Sequence, residues 1–236
     1  MDLKIRKAQK KVLEAFSKKT KSFALCGGTA LELYYLKHRF SADLDFFSPK
    51  YNLAEIDKLV LEFKKCGSGK IKLGAEFIAD GHARVRFYMV KIKGLDRPLK
   101  IDFVEDVLFK QPIIKRFKGV PVYSVKHIYF QKLLTLVGTR QQKDDVGGEM
   151  IGGRGEARDA FDIYMLSQKI QPLHLFLGDV SRRLQRGMVR WYQTFSRQEL
   201  KLGLLDLDIY DSKFDTREMI IYLEAEIRKF IKEVLE

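Results

Sequence analysis

Cysteine is scarce in this chain: Cys26 and Cys66 stand alone, with no CxxC between them. No disulfide framework can be built from such a pair, and a reducing compartment is the simpler setting. Long apolar runs are also missing. The longest are of the kind Val85-Arg86-Phe87-Tyr88-Met89-Val90, far below the ~20 residues that a membrane-spanning helix needs. The first residues, Met1-Asp2-Leu3-Lys4, carry no apolar signal-peptide core, so a cytoplasmic location with no membrane partner is expected. Internal repeats and low-complexity tracts are absent, and charge is spread through the chain instead of being segregated in blocks, which excludes collagen-like and disordered classes. What remains is 46% hydrophobic and 32% charged over 236 residues. That is enough for one large domain or two small ones, burying roughly 70% or more of the unfolded surface.

Acid is in deficit. Lys and Arg outnumber Asp and Glu by 44 to 31, a formal charge of +13, and a surface that positive draws phosphates through long-range Coulomb attraction. The first 22 residues hold eight basic and two acidic side chains, whereas 206–236 holds nine acidic and five basic. Arg182, Arg186 and Arg190 fall on one helical face beside Trp191 and Tyr192, able to grip a nucleic-acid backbone and stack a base, although a solvated face is the simpler reading.

Periodicity divides the chain in two. Residues 4–18 have the stripe of an amphipathic helix. Phe23-Ala24-Leu25-Cys26 reads as a strand that ends at Gly27-Gly28, and Thr29 opens a helical stretch. Asp43-Leu44-Asp45-Phe46-Phe47 returns to strand, 53–63 to helix, and 71–78, 83–87 and 99–103 form three successive strands, as in a meander. After Pro121 the pattern is helical: 125–137 with Ser124 as cap, then 156–169, 173–187, 189–200 and 216–235, with a glycine-rich stretch at 147–155. The expected fold is α+β, a mixed α/β core over 1–123 followed by a helical domain over 124–236.

Asp43 and Asp45 are two apart on a predicted strand, so both carboxylates face one way while Leu44 and Phe46 face the core. Two such carboxylates repel, and a hard divalent cation beside them is the natural remedy; an exposed strand edge with incidental acids is the alternative. Gly27-Gly28, between strand and helix, lets bare backbone amides approach an anion such as a triphosphate, or simply makes a tight turn. Asp102, on a later strand, supplies a third carboxylate for a two-metal site. Lys132 rises from an apolar stripe with Ile128 and Leu136, where it calls for an anionic partner: a phosphate, or an acid of the 156–169 helix, the other reading being a lysine that snorkels to solvent. Arg158 and Asp162 form an i,i+4 pair. Gly67-Ser68-Gly69-Lys70 lacks the spacing of a phosphate loop and reads as a turn. His38, His82, His127 and His174 show no metal-ligand spacing.

Gly27-Gly28-Thr29-Ala30-Leu31 followed by Arg39-Phe40-Ser41-Ala42-Asp43-Leu44-Asp45-Phe46-Phe47 resembles the signature of the nucleotidyltransferase superfamily, in its AbiEii/AbiGii toxin branch. Lys132, Arg154 and Arg158-Asp159-Ala160-Phe161-Asp162 resemble the branch's later lysine and Arg-Asp-x-x-Asp motifs, with an insert at 138–153 between them. The resemblance, which spans about residues 20–170, implies a nucleotidyltransferase core with a C-terminal helical domain. It implies two Mg²⁺ ions on Asp43, Asp45 and Asp102, with Asp102 activating the acceptor hydroxyl. It also implies nucleotide contacts from Gly27, Gly28, Thr29, Arg39, Ser41, Lys132 and Arg158, with Asp159 and Asp162 as organisers.

The expected activity is Mg²⁺-dependent transfer of a nucleoside monophosphate from an NTP to a macromolecular hydroxyl. The basic surface favours an RNA acceptor, tRNA included, over a protein hydroxyl, and the resemblance adds a toxin–antitoxin or phage-defence setting with a protein antitoxin. Two other readings are a catalytically silent nucleotide- or RNA-binding module, and a basic nucleic-acid-binding protein whose acids are incidental and whose affinity falls steeply with salt.

Overall fold

Ile5, Val12, Leu13 and Phe16 are buried at helical spacing along α1 (Leu3–Lys19) while its lysines stay in solvent. The helix is capped by Asp2, whose Oδ1 accepts the Lys4 and Ile5 amides at 2.9 and 3.2 Å. The computed structural model describes residues 2–66, 70–79, 83–95, 97–138, 140–143, 149–152 and 157–235. Gly67, Ser68, Gly69, His82 and Arg154 lie outside them, as does most of the 147–155 stretch. From α1 the chain enters β1 (Ala24–Cys26), a short helix α2 (Gly27–Ala30) that continues as a π-helical turn over Leu31–Leu36, β2 (Leu44–Ser48) and α3 (Leu53–Cys66). The strands β3 (Ile71–Ala79), β4 (Ala83–Val90), β5 (Leu99–Glu105), β6 (Ile114–Phe117) and β7 (Val120–Tyr123) follow, then α4 (Val125–Val137). A hairpin, β8 (Arg140–Lys143) with β9 (Glu149–Gly152), falls within the 138–153 insert. It is followed by α5 (Ala157–Lys169), α6 (Leu173–Gly178), α7 (Arg182–Thr194), α8 (Arg197–Leu205) and α9 (Thr216–Leu235).

The chain clusters into two units, residues 1–35 with 40–127, and residues 36–39 with 128–236. Tyr123 and Ser124, where the sequence places the boundary, both belong to the first. That unit is built on a seven-stranded mixed sheet in the order β3-β4-β5-β2-β1-β7-β6. The expected meander is β3-β4-β5, antiparallel throughout. Strict alternation along β2 and β5 sends Leu44, Phe46, Ile101 and Phe103 to one face, all fully buried, and Asp45 and Asp102 to the other. On the apolar face Phe46 stacks on Phe16 of α1 with centroids 4.0 Å apart, and Phe63 of α3 and Phe103 close round it.

The structure differs from expectation in two places. The first expected helix, 125–137, is α4, but the stretch before it, which carried no expected element, holds β6 and β7, a hairpin through Lys118 and Gly119 whose φ values of 49° and 85° make a two-residue turn of the kind usually written Asn-Gly. The two helices expected over 173–187 and 189–200 are three. The chain breaks after Gly178 and again at Ser196, whose Oγ accepts the Glu199 amide at 3.1 Å, a capping-box start for α8.

In the second unit α5 carries the core, with Ala160, Phe161, Ile163 and Leu166 buried, and Tyr129 stacks on Phe176 at 3.9 Å. Segment 36–39 joins this unit through an Arg39–Ile209 bridge and the Tyr210 amide, which donates to the His38 carbonyl at 3.0 Å.

Replacing Phe46 with Ala removes the ring that links α1, α3 and β5 and leaves a cavity with little room to collapse. Urea denaturation is expected to show a loss of about 3–5 kcal/mol.

Candidate active site

The parallel pairing of β2 and β5 sets Leu44 beside Ile101 and Asp45 directly beside Asp102. Side chains so paired lie about 5 Å apart at Cβ and cannot avoid each other's field. Asp43 stands two residues before Asp45, at the leading end of β2, and all three carboxylates are half-buried. On the other side of β2, Cys26 of β1 pairs with Asp45, and Gly27 follows at φ +70°. A Cβ at Gly27 would collide with the Asp45 carboxylate and come 3.0 Å from its Cγ. Gly27 is therefore fixed twice over, by its left-handed backbone and by the acid packed against it. Gly28 and Thr29 are buried in the turn that follows.

The loop that delivers Asp43 is clamped from below. Gln9 of α1, fully buried, donates from Nε2 to the carbonyls of Ser41 and Ala42, both at 2.9 Å. Thr29 Oγ1 donates to the Asp43 carbonyl. Glu32, on the π-helical turn, accepts the Ser41 amide at 2.9 Å and forms a buried ion pair with Arg6, which also donates to Gln9 Oε1 at 2.8 Å. Thr29 and Ser41, expected as nucleotide contacts, are placed here as parts of this clamp. Arg6, Gln9 and Glu32 were not legible as site residues. They sit among the lysines of a basic helix and on an apolar stripe, and only the Arg6-x-x-Gln9 spacing, polar residues on the buried face of α1, hinted at them.

In the second unit four residues meet around Asp162. Arg39 binds it in a fork, Nε to Oδ1 at 2.7 Å and Nη2 to Oδ2 at 2.8 Å, and His38 Nε2 lies 2.7 Å from Oδ1. Lys132 Nζ lies 2.8 Å from Asp162 Oδ2 and donates to Asp159 Oδ1 at 2.5 Å. Lys132 is thus held by two acids of α5, and Arg39 by one of them. Arg158 is half-buried on the same helix. Burial alone would raise the Asp162 carboxyl, but Arg39 and Lys132 outweigh it and hold it well below the usual range. Burial likewise works to lower the Lys132 ammonium, and the two aspartates reverse that, for a net rise.

A family model for the nucleotidyl transferase AbiEii toxin of type IV toxin–antitoxin systems matches residues 11–235. The chain belongs to the AbiEii family. Two crystal structures from Helicobacter pylori share its fold. One, of a candidate nucleotidyltransferase, is 22% identical with a TM-score of 0.59 over 99% of this chain and 97% of that one. The other, of JHP933, is 21% identical with a TM-score of 0.59 over 98% and 94%. A search of curated proteins finds no match to this chain. The AbiEii assignment makes the protein a nucleotidyltransferase of mixed α/β fold.

Nucleotidyltransferases usually take a divalent metal, and the chemistry of the acidic donors here suits one. Asp43, Asp45 and Asp102 offer hard carboxylate oxygens of the kind Mg²⁺ prefers. Among the described residues no three His, Cys, Asp or Glu side chains are already drawn to metal-ligand distance, and Asp102 is turned to the Lys100 ammonium, 2.6 Å away.

Because the folded pKa of Asp162 is depressed, its contribution to stability is complete above the unfolded value of ~3.9 and disappears only as pH falls through the lower folded value. The wild-type melting temperature should hold down to about pH 4 and fall below it. Asp162→Asn, which removes the carboxylate that Arg39 forks and leaves Lys132 to Asp159, should lose about 3–5 kcal/mol at pH 7 and flatten that acid limb. Thermal melts from pH 7 to pH 2 check both.

Proposed function

We propose that this AbiEii-family protein transfers a nucleoside monophosphate from an NTP to a hydroxyl of RNA, tRNA among the candidates, in the cytoplasm, and that a protein antitoxin opposes it. The observation that carries this reading is the register of β2 against β5, which sets Asp45 beside Asp102 with the Gly27 backbone packed on the first of them.

Asp43, Asp45 and Asp102 would hold two Mg²⁺ ions, which when bound offset the charge of the triphosphate and of the entering and leaving oxygens. The chain's own part is placement. Gly27 and Gly28 keep the approach to the acids free of side chains, and the Gln9, Thr29 and Glu32 bonds fix the loop that ends in Asp43. Asp102 orients the acceptor hydroxyl and receives its proton. The acceptor oxygen then bonds to the α-phosphorus as the bond from that phosphorus to the bridging oxygen breaks, and pyrophosphate leaves with the bonding pair. A formal charge of +13 favours a polyanionic acceptor. Arg158 is proposed as a triphosphate contact, and Lys132 and Arg39, held by Asp159 and Asp162, are proposed as organisers of the second unit.

Incubation with each of four α-labelled NTPs, Mg²⁺ and total cellular RNA should label RNA from one NTP or a few. Asp45→Asn should lower the rate at least ~100-fold, and Gly27→Ala, whose methyl displaces the Asp45 carboxylate, should do nearly as much. Transfer from none of the four NTPs, or equal transfer by an Asp43→Ala/Asp45→Ala protein, overturns the reading; label on protein alone overturns the RNA acceptor.

A further inference from the structure

Lys100 precedes Asp102 by two residues on β5, so both project from the sheet face that carries Asp45. The Lys100 ammonium has a seat there. It lies 2.6 Å from Asp102 Oδ2 and 5.0 Å from the centre of the Phe87 ring, and Phe87 is the residue paired with Asp102 across β4 and β5. The ring is itself pinned, because it lies on the bare backbone of Gly74, where an added Cβ would sit 2.8 Å from Cζ. An aromatic face and a carboxylate thus bracket one cation at the edge of the acidic cluster. Lys100 is 36% exposed at its side chain, against 14% for Asp102, so the ammonium can withdraw along a flexible stem while the carboxylate stays on the strand.

A carboxylate oxygen that gives its lone pairs to an ammonium has less to give a metal. With Lys100 in place, three carboxylates and one ammonium leave the cluster a net charge of −2; without it, the charge is −3. We propose that Lys100 is a built-in counter-ion that occupies Asp102 in the metal-free protein and must leave it when Mg²⁺ enters, so that it sets the metal concentration at which the site loads. The proposal rests on the metal role given to the three aspartates above. Its effect is to hold loading back until the metal arrives at sufficient concentration, and to leave a mobile cation for an anionic substrate once it has been displaced.

The test is Mn²⁺ titration of the full chain without nucleotide, followed by electron paramagnetic resonance of the free ion at low ionic strength. Lys100→Met keeps most of the stem and removes the charge; it should bind Mn²⁺ about five- to tenfold more tightly than the wild type, with an unchanged melting temperature. Lys100→Arg should stay within about twofold of the wild type, and the Lys100→Met advantage should shrink as salt is raised. Mn²⁺ affinity in Lys100→Met that is equal to or weaker than wild type, while Asp45→Asn abolishes binding, overturns the counter-ion role and leaves the metal site standing. Mn²⁺ binding that is the same in wild type and Asp45→Asn removes the metal site and the proposed function, and the role of Lys100 with them.

Discussion

The first unit depends on one constraint, the two-residue pleat of β2 and β5 in parallel register. It commits Leu44, Phe46, Ile101 and Phe103 to a dry face under α1 and α3 and, by the same alternation, forces Asp45 and Asp102 side by side on the other face. Electrostatic repulsion between those acids is maintained by the packing of four apolar side chains that cannot turn over without emptying the core. A slip of one residue in either strand would bury a carboxylate and expose a phenylalanine. The acidic pair is mounted as firmly as the core is packed.

Each unit then uses a buried arginine–carboxylate pair to hold a loop or helix that the sheet does not reach. Arg6 with Glu32 secures the loop ahead of Asp43, and Arg39 with Asp162 gathers Lys132 and His38 onto α5. Such pairs are poor sources of net stability, since desolvation consumes much of the attraction, but breaking one strands a charge in the interior. Their value lies in geometry. The Arg39 fork admits one orientation on Asp162, and the carboxylate oxygens of the two pairs also take the Ser41 amide on Glu32 and the Lys132 ammonium on Asp162.

Much of this was legible in the residues. Asp43-x-Asp45 with Leu44 and Phe46 between them announces a half-buried strand and a shared acidic face, and Gly27-Gly28 ahead of Thr29 announces the turn. The register that brings Asp102 to Asp45 was not legible, because strand pairing between residues this far apart in sequence leaves no local trace. The β6–β7 hairpin was hidden by a Lys-Gly turn and by Pro121, residues that read as the end of a sheet. The three-way split of the 173–205 helices was present in Gly178 and in Ser196-Arg197-Gln198-Glu199, but a continuous apolar periodicity masked it. The clamp through Gln9 and Glu32 was obscured for a different reason: polar residues on a buried helix face gain meaning only once their partners, two of them backbone carbonyls, are in place.

Leu36–Arg39 interrupts the first unit and belongs to the second. A ribosome therefore releases Arg39 long before Asp162 exists to receive it, and the guanidinium waits in water through the synthesis of more than a hundred further residues. The helical half cannot finish its interior until that early tetrapeptide is threaded back to it, so no single cut in the chain yields two complete domains, and the last half to be made must recruit a piece of the first.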